Sequence, residues 1–167
     1  MTMRKWVCYN SETKLDITKK IVELYPYKKW ILFNKSIKSA ETLAKMLGPK
    51  AVVYHSKLKT NERQKILEDF SNNVYSIVVA VDALTAGLNV PDVDAAICLA
   101  GVSTELVATQ QLGRSIRYRP DKTAIFINLY STGTIEEHWV KTKNKNFDHV
   151  YWVNDLKHLQ KQWLATA

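Results

Sequence analysis

The sequence predicts an α/β fold in which a parallel sheet carries helices on both faces and a short helical C-terminal extension follows. Two observations support this prediction. Short runs of apolar residues without polar alternation recur along the chain, which is typical of strands buried on both faces. Segments with helical spacing of apolar residues separate these runs, and such alternation favours parallel strands joined by crossover helices. The 167 residues suffice for one hydrophobic core.

The first half of the chain supplies three predicted helices and three predicted strands. Ser11 can cap the first helix, the Gly48-Pro49 pair ends the second, and Thr60 can cap the third. The strands between them are apolar and rich in β-branched or aromatic residues. In chain order we expect a helix over about 12–25, a strand over 30–33, a helix over about 36–47, a strand over 51–54, a helix over about 60–70 and a strand over 75–81.

The second half completes the sheet and then changes character. Residues 94–99 and 123–129 are apolar enough for two more strands, and a helix is expected over roughly 104–114 between them. Beyond residue 130 we expect a helix over 135–143 and a short helix ending near Trp163, which pack either on the sheet domain or on a neighbour. The predicted organisation is an N-terminal segment at 1–27, a sheet domain at 28–130 and an extension at 131–167.

Composition and charge limit the class of protein. The net charge of +8 favours a polyanionic partner, most simply nucleic acid. No apolar run approaches the ~20 residues of a membrane span, and the N-terminus lacks the apolar core of a signal peptide. We therefore expect an intracellular protein without a membrane partner. Cys8 and Cys98 fit no C-x-x-C pattern and the four histidines show no ligand spacing, so structural thiols and no metal site are expected.

Two arginines near the end of the predicted 104–114 helix are the strongest chemical signal. Arg114 and Arg117 stand three residues apart, which places both guanidinium groups on one helical face. Each planar guanidinium can bind phosphate oxygens bidentately, so the pair suits a polyphosphate. Gly113 directly before them permits close approach of the backbone. On these residues alone, a solvated basic helix end is the alternative interpretation.

The span 28–130 resembles the second RecA-like domain of a superfamily 2 helicase. The resemblance rests on four blocks that follow one another in the family's order, on predicted strands and the segments after them. One departure is Ser56, where the family usually has Gly. The blocks are Ile31-Leu32-Phe33-Asn34 with its following helix for motif IV, Tyr54-His55-Ser56 with Arg63 and Phe70 for the next block, residues 79–91 for motif V, and Gln110-x-x-Gly113-Arg114-x-x-Arg117 for motif VI.

The resemblance implies an ATP site shared between two RecA-like domains. Arg114 and Arg117 match the arginine fingers that stabilise charge on the transferred γ-phosphate. Gln110 and Gly113 are implied to lie near the nucleotide. The cofactors implied are ATP and Mg²⁺, both shared with an N-terminal RecA-like lobe that this sequence does not contain.

Motif V is implied to contact both nucleotide and nucleic-acid backbone. Gly87 and Asn89 match its Gly-x-Asp and are assigned to the nucleotide, although Asn lacks the charge of Asp. Val81 stands where many relatives have Thr, which removes one hydroxyl that a phosphate could use. Thr85, which is assigned to nucleic-acid binding, or nearby backbone N–H groups are the candidates to replace it.

Several assignments have structural alternatives. His55, Ser56 and Lys57 are assigned to nucleic-acid binding, but His55 also suits a hydrogen-bonded structural role and Lys57 a solvated one. Arg63 is interpreted first as a helix-surface charge or a structural ion pair. The stretch 135–138 (IEEH) superficially resembles a Walker B box but opens a helix, so its carboxylates are interpreted as an acidic first turn favoured by the dipole.

What the sequence lacks decides the expected activity. It contains no G-x-x-x-x-G-K-[S/T], and no predicted strand ends in an Asp-Glu pair that could hold Mg²⁺. We expect the C-terminal motor lobe of an ATP-dependent helicase or translocase, inactive alone, with DNA favoured over RNA. The alternative is a non-catalytic accessory module that binds nucleic acid or a partner protein.

Overall fold

The computed structural model describes residues 11–81, 93–99, 125–143 and 150–166. Within these ranges the predicted α/β fold is confirmed. The strands are β1 (Trp30–Asn34), β2 (Ala51–His55), β3 (Ile77–Val81), β4 (Ala95–Cys98) and β5 (Ile125–Asn128). The helices are α1 (Glu12–Leu24), α2 (Ile37–Leu47), α3 (Thr60–Ser71), α4 (Ile135–Lys143) and α5 (Leu156–Thr166). The predicted 104–114 helix lies outside the described residues.

The described strands form one parallel sheet in the order β2-β3-β1-β4-β5. From β1 the chain passes to β2 at one edge of the sheet, whereas from β4 it passes to β5 at the other edge. Neighbouring strands whose connections diverge define a topological switch point, and in open α/β sheets ligands bind outside the carboxyl ends of strands at such a point. Here the switch point lies between β1 and β4.

Helices cover both faces of the sheet because the central strands are apolar on both. Trp30 and Leu32 of β1 contribute to one core together with α1, α2 and α5. Ile31 and Phe33, at the alternating positions, contribute to a second core with α3, whose Phe70 is fully buried. This two-sided burial is the physical reason for the continuous apolar runs in the sequence.

Helix ends follow the predicted chemistry with two corrections. Ser11 holds the cap position of α1, but its side chain makes no capping hydrogen bond. Ser36 caps α2 by accepting a hydrogen bond from the backbone N–H of Ser39, and Gly48 ends the helix with a φ of 85°. Thr60 was expected to cap α3 but is its first residue, because Lys59 holds the cap position. The Glu62 carboxylate accepts a hydrogen bond from the Lys59 N–H at 2.8 Å and so closes the start of the helix.

The C-terminal helices pack on the sheet domain rather than only on a neighbour. Trp163 of α5 is 5% exposed and belongs to the same core as β1 and α1. Its ring stacks on Tyr25 with centroids 3.9 Å apart and lies 5.7 Å from the ring of Trp30. The aromatic contacts therefore join the end of α1, the start of β1 and α5.

Candidate functional site

The carboxyl ends of the five strands form one edge of the sheet, called here the carboxyl edge. His55 of β2 pairs in register with Val81 of β3, which pairs with Asn34 of β1. Across the switch point, Cys98 of β4 pairs with Asn128 of β5. Parallel strands thus bring together chain positions that are far apart in sequence, at the edge where this architecture binds ligands.

The β2 end of this edge holds three residues that the sequence assigned to nucleic acid. His55 is the last residue of β2, and a hydrogen bond of 3.2 Å from the Leu58 N–H to the His55 carbonyl closes the turn that follows. Ser56 and Lys57 occupy that turn and are exposed. The His55 Nδ1 atom is buried and finds no hydrogen-bond partner among the described residues. Such an atom gains most from a further polar partner.

Arg63 of α3 follows the same turn. Its Nη2 lies 3.4 Å from the Thr60 hydroxyl oxygen, one turn earlier in the helix. Its Nε is buried, and the described part of the chain offers it no hydrogen-bond partner. Arg63 is therefore not simply a solvated helix charge.

At the β1 end of the edge, the side chain of Asn34 organises the entry into α2. Its Oδ1 accepts hydrogen bonds from the backbone N–H groups of Lys35 at 2.8 Å and Ser36 at 3.3 Å. Its Nδ2 donates to the Ser39 hydroxyl at 3.0 Å. Asn34 is 3% exposed, so this residue of the motif IV block fixes the turn from within. The sequence marked Asn34 only as the end of a strand.

Beyond the ends of β4 and β5 lies a buried ion pair between Lys14 of α1 and Glu136 of α4, called here the buried pair. The two residues are 5% and 1% exposed. The Lys14 ammonium donates to both carboxylate oxygens at 2.8 and 2.7 Å and to the Leu99 carbonyl at 3.0 Å. Glu136 Oε2 also accepts from the Ser131 N–H at 3.0 Å. Sequence reasoning missed this pair, because its members are 122 positions apart.

Glu137 is the carboxylate that fits the predicted acidic first turn. It accepts hydrogen bonds from the Lys141 ammonium at 2.7 Å and the Gly133 N–H at 2.8 Å. These two bonds lower the pKa of Glu137 below its ordinary value. Because the folded pKa is lowered, the stabilisation is present above the unfolded pKa and is lost as pH falls through the folded one.

The other assigned residues lie outside the described residues, so their roles stay predictions. No helix of the described ranges is long and apolar enough to cross a membrane. The same ranges contain no group of three His, Cys, Asp or Glu side chains suited to a metal ion, and Cys98 is buried there. The assignments left as predictions are Gln110, Gly113, Arg114 and Arg117 of motif VI and Thr85, Gly87 and Asn89 of motif V.

Comparisons with known proteins give a family match, sequence relatives and structural neighbours. The family described as helicase conserved C-terminal domain matches residues 13–119. The chain is 31% identical over 130 residues to the DNA 3'-5' translocase XPB2 of Sulfurisphaera tokodaii, across 78% of this chain and 29% of that protein. It is 29% identical over 101 residues to the DEAD-box ATP-dependent RNA helicase 53 of Oryza sativa subsp. japonica, across 59% of this chain and 17% of that protein.

The fold has a counterpart among solved structures. The C-terminal domain of the DEAD-box protein Dbp5 superposes with a TM-score of 0.76 at 18% identity, across 95% of this chain and 93% of that one. The chain spans less than a third of the length of the two sequence relatives. The similarity is thus to one domain of larger proteins.

Proposed function

The chain belongs to the helicase conserved C-terminal domain family, as a second RecA-like domain of superfamily 2 helicases, and we propose that it is the C-terminal motor lobe of an ATP-dependent translocase or helicase. In this proposal ATP lies between this chain and an N-terminal RecA-like lobe. Arg114 and Arg117 reach the γ-phosphate, while the β2 end of the carboxyl edge contacts nucleic acid.

The observation that supports the proposal most is the match of the family across residues 13–119, which includes all four blocks. Within motif VI the family spacing Q-x-x-G-R-x-x-R is complete. A pair of guanidinium groups fits phosphate oxygens, because both are planar donors with fixed positive charge. The sequence contains no G-x-x-x-x-G-K-[S/T], and no predicted strand ends in an Asp-Glu pair. The chemistry of the donors present therefore suits half of a shared site.

ATP with Mg²⁺ would supply the phosphoryl group whose transfer to water drives motion. In this proposal, the residues of this chain bind and orient the nucleotide. The two arginines stabilise the negative charge that develops on the equatorial oxygens of the transferred group. Gln110, Gly113, Gly87 and Asn89 complete the nucleotide side of the lobe in this proposal.

Hydrolysis of ATP is the direct test of the shared site. We expect the isolated chain to hydrolyse ATP negligibly, because its sequence contains no Walker A motif and no predicted strand that ends in an Asp-Glu pair. Together with an N-terminal RecA-like lobe that carries a Walker A motif, it should show nucleic-acid-stimulated hydrolysis with kcat on the order of 1 s⁻¹ or more. Phosphate release is measured for each lobe alone and for both together. Equal hydrolysis by the isolated chain would contradict the proposal.

Nucleic-acid binding at the β2 end is tested by its salt dependence. Phosphate contacts release counterions, so the affinity for a single strand should fall linearly on a log–log plot against salt concentration. Lys57→Ala should make the slope of this plot less steep by about 0.7, the value for one lost phosphate contact on a single strand. Fluorescence anisotropy of labelled oligonucleotides measures both quantities. Single-stranded DNA is expected to bind more tightly than RNA of the same sequence.

Lys45→Ala is the matched control for Lys57→Ala. Lys45 is exposed in the last turn of α2. Because α2 starts at the carboxyl edge, its last turn lies near the opposite end of the sheet, and the slope should be unchanged. An unchanged slope in Lys57→Ala, or binding that does not respond to salt, would contradict the contact. Salt-dependent binding without any ATP hydrolysis beside a Walker A lobe would instead favour the accessory module.

A further inference from the structure

At the switch point, the buried pair supplies a hydrogen bond that the ladder between β1 and β4 does not form. In the β1–β4 ladder the Leu99 N–H donates to the Phe33 carbonyl at 3.0 Å. In a continuing parallel ladder the next bond would run from the Lys35 N–H to the Leu99 carbonyl. The Lys35 N–H instead donates to Asn34 Oδ1 at 2.8 Å. The Lys14 ammonium fills the place of that donor, 3.0 Å from the Leu99 carbonyl.

Glu136, the other member of the buried pair, binds the backbone just after β5 ends. Among the described residues, the last donor of the β4–β5 ladder is the Leu129 N–H, which binds the Cys98 carbonyl at 2.9 Å. Two residues later the Ser131 N–H donates to Glu136 Oε2 at 3.0 Å. One ion pair therefore fixes the backbone both where the chain leaves β4 and where it leaves β5.

Stability alone does not explain such a pair. Two desolvated charges seldom stabilise a fold more than well-packed apolar residues of the same volume would. What the pair provides is geometry: the three donors of the ammonium match three acceptors, two on Glu136 and one on Leu99. Leu99 is the last described residue before the sequence that leads to Gln110, Arg114 and Arg117.

We propose that Lys14 and Glu136 are positioning residues for the arginine pair. By holding the Leu99 carbonyl they fix the end of β4, from which the chain leads to motif VI, and by holding the Ser131 N–H they fix the end of the neighbouring strand β5, which the chain enters after motif VI. The inference rests on the proposed function, since it assigns the pair a role in ATP hydrolysis. Helices from the two ends of the chain thereby contribute to the placement of motif VI.

A double substitution separates positioning from stability. In the two-lobe protein, Lys14→Met leaves Glu136 buried without its partner, so both the melting temperature and kcat should fall. Lys14→Met/Glu136→Leu removes both charges, so its melting temperature should recover relative to Lys14→Met. The backbone groups still lack their side-chain partners, so kcat should stay about tenfold or more below wild type. The KM for ATP should change less than about twofold, because the placement of the arginines acts mainly in the transition state.

The controls use the same helix and the same site. Lys19→Met/Glu23→Leu removes an exposed ion pair of α1, whose N–O distance is 3.7 Å, and should leave kcat and melting temperature unchanged. Lys14→Arg keeps the charge, so the protein should fold even if the double variant does not. Its wider guanidinium should displace the Leu99 carbonyl and lower kcat. Rates are measured well below each melting temperature and normalised to folded protein.

The outcomes distinguish this inference from the proposed function. Absence of hydrolysis in the wild-type two-lobe protein would overturn both. Wild-type hydrolysis with wild-type kcat in the double variant would overturn the positioning role alone. If the double variant does not fold, a wild-type kcat in Lys14→Arg would likewise overturn the positioning role alone. A recovered melting temperature with a low kcat would support the role.

Discussion

Replacing either Arg114 or Arg117 by alanine in the two-lobe protein is expected to lower kcat for ATP hydrolysis about 10³- to 10⁵-fold. An arginine finger acts on charge that appears only as the γ-phosphoryl group is transferred, so its loss is felt in the transition state. The KM for ATP should change much less, because in the proposed shared site the N-terminal lobe holds most of the nucleotide. Steady-state phosphate release at saturating nucleic acid measures both constants.

Two further variants make this test specific. Arg119→Ala lies outside the Q-x-x-G-R-x-x-R spacing and should leave kcat within about twofold, as expected for a residue that touches no reacting group. Arg114→Lys keeps the charge but loses the planar fork, so it should restore only part of the rate. Retention of wild-type turnover in both alanine variants would rule out the arginine-finger assignment. A rate loss in Arg119→Ala equal to theirs would show a general effect of charge.

The second large effect is expected from Trp163→Ala, which should lower the free energy of unfolding by about 3–5 kcal/mol. Trp163 is 5% exposed and stacks on Tyr25 with ring centroids 3.9 Å apart. Its removal leaves a cavity between α5, α1 and the start of β1, and it removes the aromatic contacts as well. Urea denaturation of the chain followed by circular dichroism measures the change.

Tyr25→Phe is the matched control within the same stack. It keeps the ring on Trp163 but removes a buried hydroxyl that has no hydrogen-bond partner among the described residues. Burial also raises the pKa of this phenol. The variant should be as stable as wild type or slightly more so, because no hydrogen bond is lost. If Trp163→Ala left the unfolding free energy unchanged, α5 would not belong to the cooperative unit of the sheet domain.

Much of the fold was predictable from local patterns. The run Trp30–Asn34 is apolar throughout because both of its faces are covered by helices, and that property is visible in the sequence. The end of α2 at Gly48 follows from the chemistry of helix termini, whereas Ser11 marks the start of α1 by position alone, since its side chain makes no capping hydrogen bond. The position of Thr60 was shifted by one residue, since the residues at a helix start differ little in their local signals.

The order of the strands and the interior contacts were not predictable in this way. Nothing local in the sequence states that β3 lies between β2 and β1. Glu136 and Glu137 are neighbours with the same side chain, yet one is buried against Lys14 and the other binds Lys141 near the surface. The rotation of α4 against α1 decides which carboxylate loses its water, and that rotation is a tertiary property.

By itself the sequence determined the α/β class, the spacing of Gln110, Gly113, Arg114 and Arg117, and the absence of a phosphate cradle. Each of these is a matter of residue type and short-range spacing, which the printed chain contains in full. Only the tertiary structure brought Lys14 to Glu136 and Trp163 to Tyr25. Those contacts join residues more than a hundred positions apart, and they form because the sheet and its helices must exclude water together.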